Sequence, residues 1–133
     1  MLERDKEVLV WNPETPQDIE WRTMPKELEQ MYELIGCHTI DIVTRELNGK
    51  TFSMIVDDEG LLLEKMPSYY DEKTRTYLVG TIIITQYNEE GEQVGLTREE
   101  IEHIAKTTKI SIAERGSKED KEKYKKSYVL VNS

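Results

Sequence analysis

Histidine and cysteine carry much of the acid-base, nucleophilic and metal chemistry of protein sites. This chain has two of the first and one of the second. Cys37 and His38 are adjacent. On a strand, neighbours point to opposite faces, so these two would not easily serve one site. A nucleophilic pair would have to form between Cys37 and His103, which falls on a later helix. A small, partly buried cysteine at a helix-strand junction is the simpler reading of Cys37. Glu100-Ile101-Glu102-His103 holds one Glu-x-x-His pair. Two-metal carboxylate centres need two such pairs and further glutamates from other helices, so an exposed helix face is the plainer account. Asp57-Asp58-Glu59 lacks the alternating ligand spacing of a calcium loop and reads as a solvated turn. No phosphate loop, dinucleotide fingerprint, nucleophile elbow or metalloprotease motif occurs. The expectation is therefore no catalytic residue, no metal site and no cofactor.

Two surfaces remain as binding candidates. The stretch Met66–Tyr77 carries Tyr69, Tyr70 and Tyr77 with Asp71, Lys73 and Arg75. Aromatic rings beside cations can stack a nucleotide base or anchor a protein partner. The plainer alternative is that the tyrosines cover a sheet edge. The second candidate is acidic: Glu89, Glu90, Glu92, Glu99, Glu100 and Glu102 face only Arg98 over that span. A negative turn followed by a negative helix start could form a patch for a basic partner. Acidic residues in a first helical turn are also ordinary helix chemistry.

Composition limits the partners. The chain has 133 residues and a formal net charge of -9. Nucleic-acid binding rests on Lys and Arg neutralising phosphates, so direct nucleic-acid binding is not expected. The lysines at 118, 121, 123, 125 and 126 interleave with Glu119, Asp120 and Glu122 and read as a solvated helix. No apolar run approaches the roughly 20 residues that span a bilayer. The charged opening Met1–Glu7 does not have the pattern of a signal peptide. One cysteine excludes an intrachain disulfide and suits a reducing cytoplasm. A charged fraction of 34% and a hydrophobic fraction of 37%, clustered in periodic blocks, suit one folded domain over residues 1–133.

Val8–Trp11 reads as a strand broken by Pro13 and Pro16. A helix follows from about Thr23, with Pro25 in its first turn. Leu28, Met31, Tyr32 and Ile35 lie on one face, and Gly36 ends it. Asn48-Gly49 between Thr39–Leu47 and Thr51–Val56 is a hairpin signal. A further turn at Asp57–Gly60 leads to Leu61-Leu62-Leu63 as a third strand. Met66–Thr76 reads as a loop or a short helical excursion. Tyr77–Tyr87 reads as one central strand. Thr97 with Glu100 forms a capping box for a second helix. The tail reads as strand, short helix and strand. Trp11 and Trp21 are placed at the margins of the first helix. The fold class is α+β: one mostly antiparallel twisted sheet, two main helices and a short C-terminal helix.

The order of these blocks resembles domain-of-unknown-function family 3846, over about residues 7–104, with 105–133 as an extension. The resemblance is carried by the first strand and its proline, Leu28-x-x-Met31-Tyr32-x-Leu34-Ile35-Gly36, Val56-x-x-Glu59-Gly60 and Leu78-Val79-Gly80-Thr81. Between Leu63 and Leu78 the chain departs from the family's short Asn- and Ala-containing motif and has Pro67-Ser68-Tyr69-Tyr70-Asp71. The resemblance implies a small accessory protein of a phage or mobile element and carries over no catalytic residue. With no catalytic constellation in the sequence, the expected role in that setting is non-enzymatic binding, such as inhibition of a host defence or nucleic-acid-processing protein through the acidic surface. The alternative is sequestration of a small nucleotide signal at the tyrosine-rich stretch. A free sheet edge could also join two copies into a homodimer.

Overall fold

The computed structural model describes residues 7–16, 19–113 and 115–132. The opening segment weighed above as a signal peptide falls mostly on residues 1–6, outside the described residues. In chain order the elements are β1 (Glu7–Trp11), β2 (Ile19–Thr23), α1 (Leu28–Ile35), β3 (Ile40–Leu47) and β4 (Lys50–Asp57). There follow β5 (Pro67–Asp71), β6 (Thr76–Val79), β7 (Ile82–Tyr87), β8 (Gln93–Val94) and α2 (Arg98–Thr107). The last three are β9 (Thr108–Ile112), α3 (Lys118–Tyr124) and β10 (Tyr128–Asn132), with α3 and β10 joined by a short turn.

The class is α+β and rich in antiparallel pairing, but there are two sheets where one was expected. The first runs β2-β1-β7-β4-β3, with β8 pairing the end of β7. All its pairings are antiparallel. The second runs β6-β5-β10-β9. Its inner pair, β5 with β10, is parallel.

Alternation along the strands builds three apolar layers. Leu9 and Trp11, Phe52 and Met54, and Ile82 and Ile84 point from the first sheet toward Tyr69 and Leu130 of the second. The opposite positions Val8, Val10, Ile55 and Ile83 meet Ile35, Met31 and Leu34 of α1. On the far side of the second sheet, Tyr70, Tyr77, Val129 and Val131 meet Tyr124 of α3. The order is helix, sheet, sheet, helix, with α2 adding Ile101 and Ile104 to the layer between the sheets.

Several expectations change in physical detail. Thr23 ends β2 and does not cap a helix. α1 starts after Glu27, with Gln30 Oε1 accepting the amides of Lys26 (2.9 Å) and Glu27 (3.3 Å). Its packed face is Met31, Leu34 and Ile35, and Leu28 is exposed. Gly36 closes the helix in the left-handed region, as expected. Trp11 does not sit at the margin of α1: it is fully buried between the sheets, its indole donating to Pro16 O at 3.2 Å. Trp21 lies on β2, a strand the reading above missed.

The hairpin at Asn48-Gly49 and the capping box at Thr97 form as expected. The stretch read as one strand, Tyr77–Tyr87, is cut at Gly80-Thr81, and its halves join different sheets. Leu61–Leu63 is an exposed turn, not a third strand.

β10 is interior to its sheet, and Leu130, paired with Tyr69, joins the layer between the sheets. Leu130→Ala should therefore cost about 2–5 kcal/mol. Urea denaturation with unchanged slope is the measurement, and a loss under about 0.5 kcal/mol would contradict this placement.

Candidate functional site

The tyrosine-rich stretch is a strand hairpin, not a loop. Successive residues of β5 point to opposite faces, and this separates the tyrosines. Tyr69 lies between the sheets, 1% exposed, and its hydroxyl donates to Glu46 O at 2.7 Å. Burial, with Asp71 adding to it, pushes that hydroxyl well above the usual phenol value. Tyr70 and Tyr77 turn the other way and pack with Tyr124, each neighbouring pair of ring centroids 4.9 Å apart. The Tyr77 hydroxyl donates to Arg115 O at 2.7 Å, and burial raises its pKa too.

The charged members of the hairpin are already matched. Asp71 meets Arg45 at 3.3 Å, and Lys73 meets Glu46 at 2.7 Å. The hydrogen bond from Lys73 holds the Glu46 carboxyl below its usual value. Arg75 is exposed at a left-handed turn position, φ 57°. A cavity of about 410 Å³ opens here, lined by Arg45, Glu46, Asp71 and Lys73 among others. Its cations face carboxylates, and the three rings offer no open stacking face.

The acidic residues come together differently. Asn88 knits the turn after β7: its side-chain oxygen accepts the amides of Glu90 (3.0 Å) and Glu92 (2.9 Å). Glu89, Glu90 and Glu92 are held outward by that turn and are exposed. On α2, Glu99 and Glu102 are exposed, but Glu100 is only 2% exposed. Glu100 belongs to the interior rather than to an acidic surface. One carboxylate oxygen accepts the Thr97 amide at 2.8 Å, completing the cap; the other accepts the Gln86 amide nitrogen at 2.7 Å. That same nitrogen donates to Thr51 O at 3.1 Å. Glu100 thus ties α2 to β7 and β4.

Around this tie lies a depression of about 520 Å³, lined by Lys50, Gln86, Tyr87, Asn88, Glu89 and Glu100. Tyr87 is 42% exposed within it. Glu89, Glu90, Glu92, Glu99 and Glu102 enter no ion pair among the described residues. The depression offers an accessible aromatic ring beside the exposed Glu89 carboxylate, with Lys50 also in its lining. A cation over a tyrosine ring gains roughly 0.5–2 kcal/mol, and a carboxylate beside it adds a charge-assisted hydrogen bond.

Cys37 and His103 do not meet. Cys37 packs on the α1 side of the first sheet. The His103 ring lies 6.2 Å from that of Phe52, on the other side, and bonds Leu47 O at 2.7 Å. Burial and the nearby Asp57 push the Cys37 thiol pKa up. Among the described residues, no cluster of three or more metal-ligating side chains forms, and no helix is long and apolar enough to cross a membrane.

One surface feature lies outside the two candidate surfaces. Leu61, Leu62 and Leu63 are 65%, 79% and 58% exposed on the turn after β4. Three adjacent leucines between an acidic turn and a proline are the signal, but they read equally well as a strand.

Glu100→Ala should cost about 1–3 kcal/mol, because Thr97 N–H and one of the two Gln86 amide hydrogens lose their acceptor. Glu100→Gln, keeping one acceptor, should fall between; thermal melts compare the three. Cys37 should react with a disulfide reagent at pH 8 more slowly than free cysteine, since thiolate is the reacting form. A faster rate would contradict its packing.

A family model described as a domain of unknown function, DUF3846, matches residues 6–109. The matched span stops in β9, before α3 and β10. No curated protein and no solved structure matches the chain.

Proposed function

We propose that this chain, which belongs to the DUF3846 family, works by binding a basic protein partner at the Tyr87–Glu89 depression and not by catalysis. The observation that carries this reading is one open aromatic ring, Tyr87, and one exposed carboxylate, Glu89, in a single depression. An arginine or lysine of the partner would lie over Tyr87 and reach Glu89, with Glu90, Glu92, Glu99 and Glu102 adding long-range attraction. The overall charge of -9 would steer such a partner in. It also disfavours direct nucleic-acid binding.

In a phage or mobile element, the setting the family resemblance implies, the partner would be a host defence or nucleic-acid-processing protein. Covering its basic surface would inhibit it. The nucleotide-sequestering alternative has less support, because Tyr69 and Tyr70 are buried and Lys73 is already paired.

The test is capture from host lysate with wild type and two variants, followed by cross-linking of the captured partner to Lys50. Tyr87→Ala should weaken binding about tenfold, the worth of one desolvated cation-ring contact. Glu89→Lys combined with Glu99→Lys should abolish it, and wild-type binding should weaken at high salt. Capture that both variants leave unchanged would sink the proposal.

A further inference from the structure

The exposed leucines sit on a rigid turn. Lys65 N–H donates to Gly60 O (3.0 Å) and Glu64 N–H to Leu61 O (3.2 Å). With Glu64 in the left-handed region, φ 54°, this is the closure that ends helices. Lys65 Nζ clamps the turn from below, 2.6 Å from the buried Asp57 carboxylate and 3.0 Å from Gly36 O. Gly60 seats it against the second sheet: a Cβ there would lie 2.7 Å from Val79 Cγ2. Met66, also exposed, extends the apolar surface, while Asp58, Glu59 and Glu64 put carboxylates around it. A connection needs neither this rigidity nor this apolar content. Preorganised apolar tips rimmed by charge are what binding uses.

The same molecule carries an open cleft that could receive such a tip. Between β2 and α1 lies a cleft of about 530 Å³, within the roughly 300–1,000 Å³ of ligand pockets. Met24, Pro25 and Leu34 supply its apolar lining, and Arg22 and Lys26 its positive charge. Glu33 also lines it, and Lys26 enters no ion pair among the described residues. Arg22 uses Nε on Glu20, at 2.9 Å, which leaves its terminal nitrogens for another acceptor.

We propose that two copies of this chain associate by seating the Leu61–Leu63 tip of one in the Arg22–Lys26 cleft of the other. Leucines meet Met24, Pro25 and Leu34, and the carboxylates beside the tip meet Arg22 and Lys26. The net charge of -9 opposes association at long range, but screening beyond about 8 Å at physiological salt leaves local charges to decide the contact. Anionic lipid is a poor occupant, because it repels the carboxylates at the tip. Tip and cleft are different surfaces: two copies either exchange tips about a two-fold axis, which makes the pair isologous, or join through one heterologous contact that continues head to tail. The tip is separate from the Tyr87 depression, since Lys50 and Asp57, at opposite ends of β4, mark the two places, and the cleft shares no lining residue with the depression.

The test is sedimentation of the purified chain over about a hundredfold range of concentration. Wild type should self-associate. Leu62→Asp, which spoils the tip, and Arg22→Glu with Lys26→Glu, which spoils the cleft, should each weaken association at least about tenfold. Both alter exposed side chains, and circular dichroism should report an unchanged fold. Mixing the two variants should restore pairing as a one-to-one complex, because the mixture holds one intact cleft and one intact tip. A monomeric wild type, variants that associate as well as wild type, or a mixture that does not pair would each overturn the proposal. Binding to phosphatidylcholine vesicles by a monomeric wild type would give the leucines to a lipid surface instead.

Discussion

Burial of β4 and β7 on both faces is the constraint on which the structure depends. Their side chains must be apolar toward α1 and apolar toward the second sheet, and Phe52, Met54, Ile55, Ile82, Ile83 and Ile84 meet that demand. Apart from the facing pair Ser53 and Thr85, polar chemistry lies toward the strand ends. At one end, Lys50, Gln86 and Tyr87 line the acidic depression; at the other, Asp57 holds the leucine turn. The two surface features are separated by the length of β4, roughly 23 Å at the usual strand rise.

Each end is organised by a buried carboxylate that prepares what lies outside it. Glu100 joins the capping of α2 to the Gln86 and Thr51 backbone network, fixing where the turn bearing Glu89 meets the helix bearing Glu99. Asp57 accepts the Glu59 amide at 2.9 Å and holds Lys65, which fixes where the leucines project. Buried charges are tolerated only when paired or fully hydrogen-bonded. Both sites obey that rule, and both convert it into stiffness at the surface.

Local signals in the sequence were readable because their physics is local. Asn48-Gly49 needs two positive φ values, Gly36 needs one, and Thr97 reaches Glu100 within a single turn. Residues whose fate depends on distant partners were not readable. Val79-Gly80-Thr81-Ile82 keeps the look of one strand, and only the existence of a second sheet splits it. Tyr69 and Tyr70 alternate as strand residues should, but Pro67 and the charged run after them look like a loop. β2 alternates Glu20 and Arg22 with apolar neighbours, and that polar half hides an edge strand. Of the acidic group, five residues do lie at the surface. Glu100 does not, because the cap that makes it recognisable also draws it inside.

The place of β10 sets the timetable of folding. The strand that lies between β5 and β9 is the last described element to leave the ribosome. Until then β5 and β9 cannot be bridged, and Tyr69 lacks the Leu130 that covers it. The first sheet and α1 can assemble from the nascent chain, but the second sheet waits for translation to pass residue 132. Closing a parallel pair across some sixty residues, from Tyr69 to Leu130, is slow in entropic terms. During that interval the unfinished sheet edges are the part of the molecule most open to mispairing and to chaperone capture.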